Sequence, residues 1–220
     1  MNGPRRRDFC AGALGAAVMA ALGQGVDACA ALPLVRRPIP RSGETIPVVG
    51  VGTWLTFDVG EDAADRARLA QVLANLFAGG GAVIDTSPMY RRAEAVTGDL
   101  LAAAGTRDRA FLATKVWTEG EAAGKAQMER SFSLLRAARI DLMQVHNLVG
   151  WRTQLRTMRA WREQGRFRYL GITHYTPGAF AEVESVLRAE PLDFLQIPYS
   201  IAVTEAETRL LPLARDLGVA

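Results

Sequence analysis

Apolar runs recur along this chain at intervals of about 28 residues, and each is followed by a segment of helical periodicity. Residues 48–54, 82–85, 110–115, 140–146, 168–173 and 193–197 read as strands. Between and after them, segments near 92–104, 121–137, 152–164, 177–189 and 205–217 read as helices. An earlier one carries Leu69, Val72, Leu73, Leu76 and Phe77 on one face and stops at Gly79-Gly80-Gly81. Thr204-Glu205-Ala206-Glu207 has the spacing of a capping box for the last helix, and Pro212 should kink or shorten it. The strands are continuously apolar instead of alternating, so both of their faces should be buried. That pattern belongs to a parallel sheet covered by helices.

Two architectures fit, an open doubly wound sheet and a closed barrel. A doubly wound dinucleotide fold should carry G-x-G-x-x-G after its first strand, and Gly50-Val51-Gly52-Thr53-Trp54-Leu55 lacks the third glycine. Several strands also end in a lone polar residue, as in a barrel with its site at the C-terminal face. The expected class is therefore α/β, a (β/α)8 TIM-type barrel over residues 48–220. Only about six βα units are legible, plus the start of a seventh strand at Gly218-Val219-Ala220, against eight units in ~250 residues for a complete barrel. The expectation is a truncated barrel. Ahead of it, residues 31–47 read as a linker with a small hairpin turning at Ser42-Gly43.

The chain has 220 residues, 49% of them hydrophobic, and a net charge of +3 spread over many segments. Nothing in that distribution points to nucleic acid. Residues 1–30 read as an export signal: Arg5-Arg6-Arg7 precedes an apolar stretch from Ala11 to Gly23 and an Ala28-Cys29-Ala30 cleavage pattern. Twin arginines resemble a twin-arginine signal, which implies the Tat export machinery as a partner and a periplasmic or otherwise exported product. The apolar stretch is short of the ~20 residues of a comfortable membrane span, so no stable span is expected after cleavage. An uncleaved anchor is the alternative. Lipidation at Cys29 is a further one, which Asp27 fits poorly. Cys10 and Cys29, the two cysteines, both lie in this segment.

Asp85 closes the strand at 82–85, and Tyr90 follows in a loop that Pro88 keeps from becoming helix. Lys115 and His146 end the next two strands. If these strands are parallel neighbours, all four meet at one mouth. An ammonium about 4 Å from a phenol favours the phenolate by ~4 kcal/mol, or ~3 pKa units. Lys115 can supply that field, Asp85 can hold the lysine, and His146 can donate a hydrogen bond to a carbonyl. Singly, each has a plainer reading: a turn residue, a loop aromatic, a satisfied core histidine. Lys115 is more telling, because the chain has 24 arginines and only two lysines. Such a set suits protonation of an oxygen that is gaining negative charge, as when hydride adds to a carbonyl.

Gly52-Thr53-Trp54, Asp85 to Tyr90, Lys115-Val116-Trp117, Gln144-Val145-His146-Asn147, Gly171-Ile172-Thr173-His174 and Gln196-Ile197 together resemble the aldo-keto reductases, the NADPH-dependent barrel family. The resemblance implies Tyr90 as general acid, Lys115 as its partner, Asp85 as the lysine's partner and His146 as carbonyl orienter. It implies Thr173, His174 and Gln196 at the nicotinamide carboxamide, His174 standing where asparagine is usual. Gly52, Thr53 and Asp85 fall near the nicotinamide ribose, and Trp54 and Trp117 form walls of the substrate pocket. The implied cofactor is NADPH, with NADH not excluded, the partner a small-molecule carbonyl substrate, and no metal is called for. Two other readings stay open: a truncated, non-catalytic chain that needs a complementing one, and a binding protein whose tetrad is idle.

Overall fold

The computed structural model describes residues 33–220. The export signal expected over residues 1–30, with Cys10 and Cys29, lies outside the described residues. Two short strands come first, β1 (Arg36–Pro38) and β2 (Thr45–Pro47), paired antiparallel. The expected hairpin is there: Gly43, at φ 72°, donates its N–H to the Ile39 carbonyl at 2.8 Å to reverse the chain.

Six parallel strands follow: β3 (Gly50–Gly52), β4 (Val83–Asp85), β5 (Phe111–Val116), β6 (Ile140–His146), β7 (Phe167–Thr173) and β8 (Phe194–Gln196). They alternate with helices α1 (Ala63–Ala78), α2 (Ala93–Ala103), α3 (Glu121–Leu134), α4 (Trp151–Glu163), α5 (Phe180–Ala189) and α6 (Leu210–Asp216). Each strand pairs with the next, so spatial order equals sequence order. A doubly wound sheet would reverse its order at a switch point; this one does not, which decides for the barrel.

The sheet is strongly curled. The Phe111 ring on β5 lies 6.0 Å from that of Phe194 on β8, although a flat sheet would separate these strands by ~14 Å. Among the described residues β3 and β8 remain its edges, with Ala220 exchanging backbone hydrogen bonds of 2.9 Å with the β8 region through Leu195 and Asp193. The expected opening of a seventh strand is met to that extent.

Alternation along each strand sorts the residues into two layers. Ile84, Leu112, Val116, Met143, Val145, Leu170 and Ile172 face the helices and join the main core. Val83, Phe111, Ala113, Leu142, Tyr169 and Phe194 face inward, against Ile39 and Ile46 of the hairpin. The hairpin thus plugs the N-terminal end of the curl. It is hooked there by Arg168, which pairs with Glu44 and, at 2.8 Å, with the buried Asp141. Trp161 of α4 packs against Phe132 of α3 and Phe167 of β7, which seats the helix on the sheet.

The last helix departs from expectation. A 3-10 turn at Glu205–Glu207 is separate from α6, Thr204 caps nothing through its side chain, and Glu207 accepts the Tyr199 hydroxyl at 2.7 Å. Pro212 falls in the first turn of α6, where its missing N–H forfeits no hydrogen bond, so no kink results.

Inside the curl, Gly171 on β7 leaves no room for a side chain. A β-carbon there would lie 2.8 Å from the Phe194 carbonyl oxygen and 3.2 Å from Cγ of Gln144. Gly171→Ala should therefore destabilise the protein by ~1–3 kcal/mol through overpacking, read as a lower urea midpoint. An unchanged midpoint would mean that β7 and β8 are not this close.

Candidate active site

The inward-facing positions that are apolar near the hairpin become polar at the C-terminal end. Val83 is followed two residues on by Asp85, Ala113 by Lys115, Leu142 by Gln144 and then His146, Gly171 by Thr173, and Phe194 by Gln196. The register sets them in a ring, with Lys115 beside Gln144, and His146 beside Thr173 beside Gln196. The curl closes it: the Gln196 amide on β8 donates to Asp85 on β4 at 3.2 Å, where a flat sheet would hold these strands ~19 Å apart.

Asp85 and Lys115 form a short ion pair at 2.9 and 2.7 Å, and the ammonium also donates to the Thr86 carbonyl at 2.8 Å. These three acceptors use all three of its protons. Burial pulls the Lys115 pKa down and Asp85 opposes that most strongly; the saturated geometry suits the charged form. Asp85 accepts from Gln144 at 3.4 Å as well. With two bonds from Lys115 and one from each glutamine, its roughly four acceptor sites are all taken. The ribose contact expected of Asp85 would require one amide to leave.

The Tyr90 ring is half-buried above this pair. The Lys115 nitrogen lies 5.1 Å from the ring centroid and hydrogen-bonds elsewhere. The expected lowering of the Tyr90 pKa by Lys115 is not met: burial, and then the Asp85 charge, push it up to about 12. The carboxylate cancels the field of the lysine it holds.

His146 meets the Tyr90 ring edge-on at 5.9 Å and the Trp117 ring at 6.5 Å. Its Nδ1 lies 3.0 Å from the buried Ser87 hydroxyl. Burial, then the nearby Lys115 and His174, lower its pKa to about 4, so it is neutral at neutral pH. Tyr90, Lys115, His146, Thr173, His174 and Gln196 line one cavity of about 260 Å³. Thr53 is fully buried just after β3, its amide bonded to the Asp85 carbonyl at 3.0 Å and its Oγ1 without a partner among the described residues. Gly52 pairs with Asp85 across β3 and β4. Trp54 is 61% exposed on the following turn, a wall only if something covers it. A larger cavity of about 660 Å³ opens at the hairpin end among arginines and holds none of these residues.

Ser87 and Gln144 were not singled out from sequence, though both stand inside quoted motifs. Tyr175, stacked on His174 at 5.4 Å, was also missed. Backbone strain gathers here too. Of the five non-glycine residues with positive φ among the described residues, Leu55, Arg91, Asn147 and Leu148 follow directly on Trp54, Tyr90 and His146.

The neutral His146 has a consequence for stability. Its folded pKa of about 4 lies below the ordinary 6.5, so the unfolded chain binds the extra proton between those values. Its contribution is present above pH 6.5 and is lost as pH falls toward 4. Between pH 7 and 5 this amounts to ~2 kcal/mol. In urea titrations His146→Asn should lose that much less stability over the same interval; equal losses would contradict the burial argument.

Residues 48–220 match the Aldo/keto reductase family. An aldo-keto reductase of Mycolicibacterium smegmatis is 34% identical over 142 residues, 61% of this chain and 48% of the relative. The methylglyoxal reductase YeaE of Escherichia coli is 28% identical over 184 residues, 80% of this chain and 63% of the relative. The chain thus spans about half to two thirds of the length of these relatives. Among solved structures, an aldo-keto reductase of Klebsiella pneumoniae in complex with NADPH superposes with a TM-score of 0.70 at 27% identity, covering 84% of this chain and 66% of that one. With the curled parallel sheet and the polar ring at its C-terminal end, these matches identify the chain as a member of the aldo/keto reductase family.

Proposed function

We propose that this protein is a carbonyl reductase that converts an aldehyde or ketone to an alcohol with NADPH. The observation that carries the reading is the saturated Asp85–Lys115 pair lying under Tyr90, in the cavity that also holds a neutral His146. NADPH, when bound, supplies the hydride. The residues present fit its nicotinamide end. Thr173, His174 and Gln196 offer a hydroxyl, an imidazole and an amide to the carboxamide, and the unpartnered Thr53 hydroxyl with Gly52 suits the ribose.

His146, uncharged, can donate a hydrogen bond to the substrate carbonyl and hold it beside Tyr90. Tyr90 then gives its proton to that oxygen. A phenol of pKa about 12 holds its proton at neutral pH. It is still a far stronger acid than an alcohol, the conjugate acid of the alkoxide that hydride addition would leave, so the proton passes downhill to that oxygen. The raised pKa therefore permits the transfer. Trp117, beside His146, would bound the substrate. The name of the Escherichia coli relative makes methylglyoxal the first carbonyl to assay, with NADH run beside NADPH.

A second reading is favoured by the two sheet edges at β3 and β8. On this reading the 220-residue chain turns over only when further strands, from its own gene or another chain, pair with them. We further propose, from Arg5-Arg6-Arg7 and the apolar segment after it, that the protein is exported by the Tat route. Fractionation of cells expressing the full chain tests this. No helix among the described residues is long and apolar enough to cross a membrane.

Fluorescence titration should give micromolar NADPH binding, together with aldehyde-dependent loss of NADPH absorbance. Tyr90→Phe should keep the binding and lose turnover by ~10²–10⁴-fold, the span of a general acid. Full turnover in that variant would refute the assignment. Activity that arises only on adding a C-terminal barrel fragment would favour the second reading.

A further inference from the structure

The Ser87–His146 contact has a direction that its distances and chemistry fix. Ser87 is fully buried, and its hydroxyl oxygen accepts the Met89 backbone N–H at 3.3 Å. Its one proton must go to some acceptor. Among the described residues the only other group bonded to that oxygen is Nδ1 of His146, at 3.0 Å. A neutral imidazole has one acceptor nitrogen and one donor nitrogen. If Nδ1 carried the ring proton, the Ser87 hydroxyl would be buried with no acceptor, a costly arrangement. If Nδ1 is bare, the Ser87 hydroxyl and Nδ1 are both satisfied. The ring proton then sits on Nε2, which has no protein partner among the described residues and belongs to a ring lining the cavity.

We propose that Ser87 is a positioning residue that holds His146 in the Nε2–H tautomer by donating its hydroxyl proton to Nδ1. The opposite tautomer would present a lone pair to a substrate carbonyl oxygen and repel it. Ser87 would therefore decide whether His146 can orient a carbonyl at all, without touching substrate. This deepens the reductase reading and rests on it only for its catalytic consequence. The tautomer itself is a property of the free protein. Ser87 lies on the loop after β4, three residues before Tyr90, so one short loop delivers the acid and sets the donor.

Long-range proton–nitrogen correlation spectra of the nitrogen-15-labelled full chain, without cofactor or carbonyl, report the tautomer. The chain has only two histidines, and the His146 signals are those lost in His146→Gln. The expected result is a bare Nδ1 and a protonated Nε2 in the wild type, both tautomers in Ser87→Ala, and the wild-type pattern again in Ser87→Thr. In turnover, Ser87→Ala should lower kcat by ~10-fold, the effect of losing one orienting hydrogen bond, with NADPH affinity unchanged. A protonated Nδ1 in the wild type would overturn the proposal, as would a wild-type spectrum in Ser87→Ala. If the spectra behave as expected but no carbonyl is reduced, Ser87 keeps its role on the ring and the reductase reading fails by itself.

Discussion

Everything at the site depends on the two-residue period of parallel strands held in register. On each of β4 to β8 the inward positions run from apolar, over the hairpin plug, to polar at the mouth. A slip of one residue in β5 would send Thr114 inward in place of Lys115 and push the lysine among the helices. Two buried aspartates recur as pins against such a slip. Asp141, at the start of β6, accepts the Leu112 amide of β5 at 2.8 Å, and Asp193, just before β8, accepts the Leu170 amide of β7 at 2.9 Å. Each ties the beginning of one strand to its neighbour by a charge-assisted bond, so the register is set at the end opposite the chemistry.

The electrostatics follow from putting charge where water is scarce. A buried ion pair is poor evidence of stability, since desolvation can outweigh attraction. The Asp85–Lys115 pair is made tolerable by the full set of donors and acceptors around it. Behind β5, on the helix-facing side, the buried Glu94 accepts the Thr114 hydroxyl at 2.6 Å, and burial raises its pKa. Lys115 thus lies between a fully bonded carboxylate in the mouth and a second carboxyl under the sheet. The balance leaves His146 uncharged and Tyr90 protonated, the forms that a hydrogen-bond donor and an acid require.

Much of this was legible in the sequence because it is carried by position along a strand. Asp85, Lys115 and His146 end apolar runs, and once the strands are parallel neighbours their meeting follows. The strand set and the choice of a barrel followed from continuous apolarity and a missing third glycine. What stayed hidden depends on side-chain direction and on burial. That Lys115 spends all its protons on Asp85 and Thr86, leaving none for Tyr90, needs three distances. The rise in the Tyr90 pKa needs the depth of the ring. Thr204 has the spacing of a capping box, yet the helix begins at Leu210, after the interrupting turn. Ser87 carried no signal, because a serine in a loop is ordinary until its neighbour proves to be an imidazole.

The near-absence of lysine from an arginine-rich chain acquires an experimental meaning. Of the two lysine amines, Lys125 is 47% exposed on α3 and Lys115 is 1% exposed in the ring. At lysine, an amine-reactive label therefore meets one open side chain and one sealed one. Modification at Lys115 needs Asp85 to release it and the mouth to open, so the ratio of the two adducts is a built-in gauge of how often the mouth loosens while the sheet beneath it stays folded.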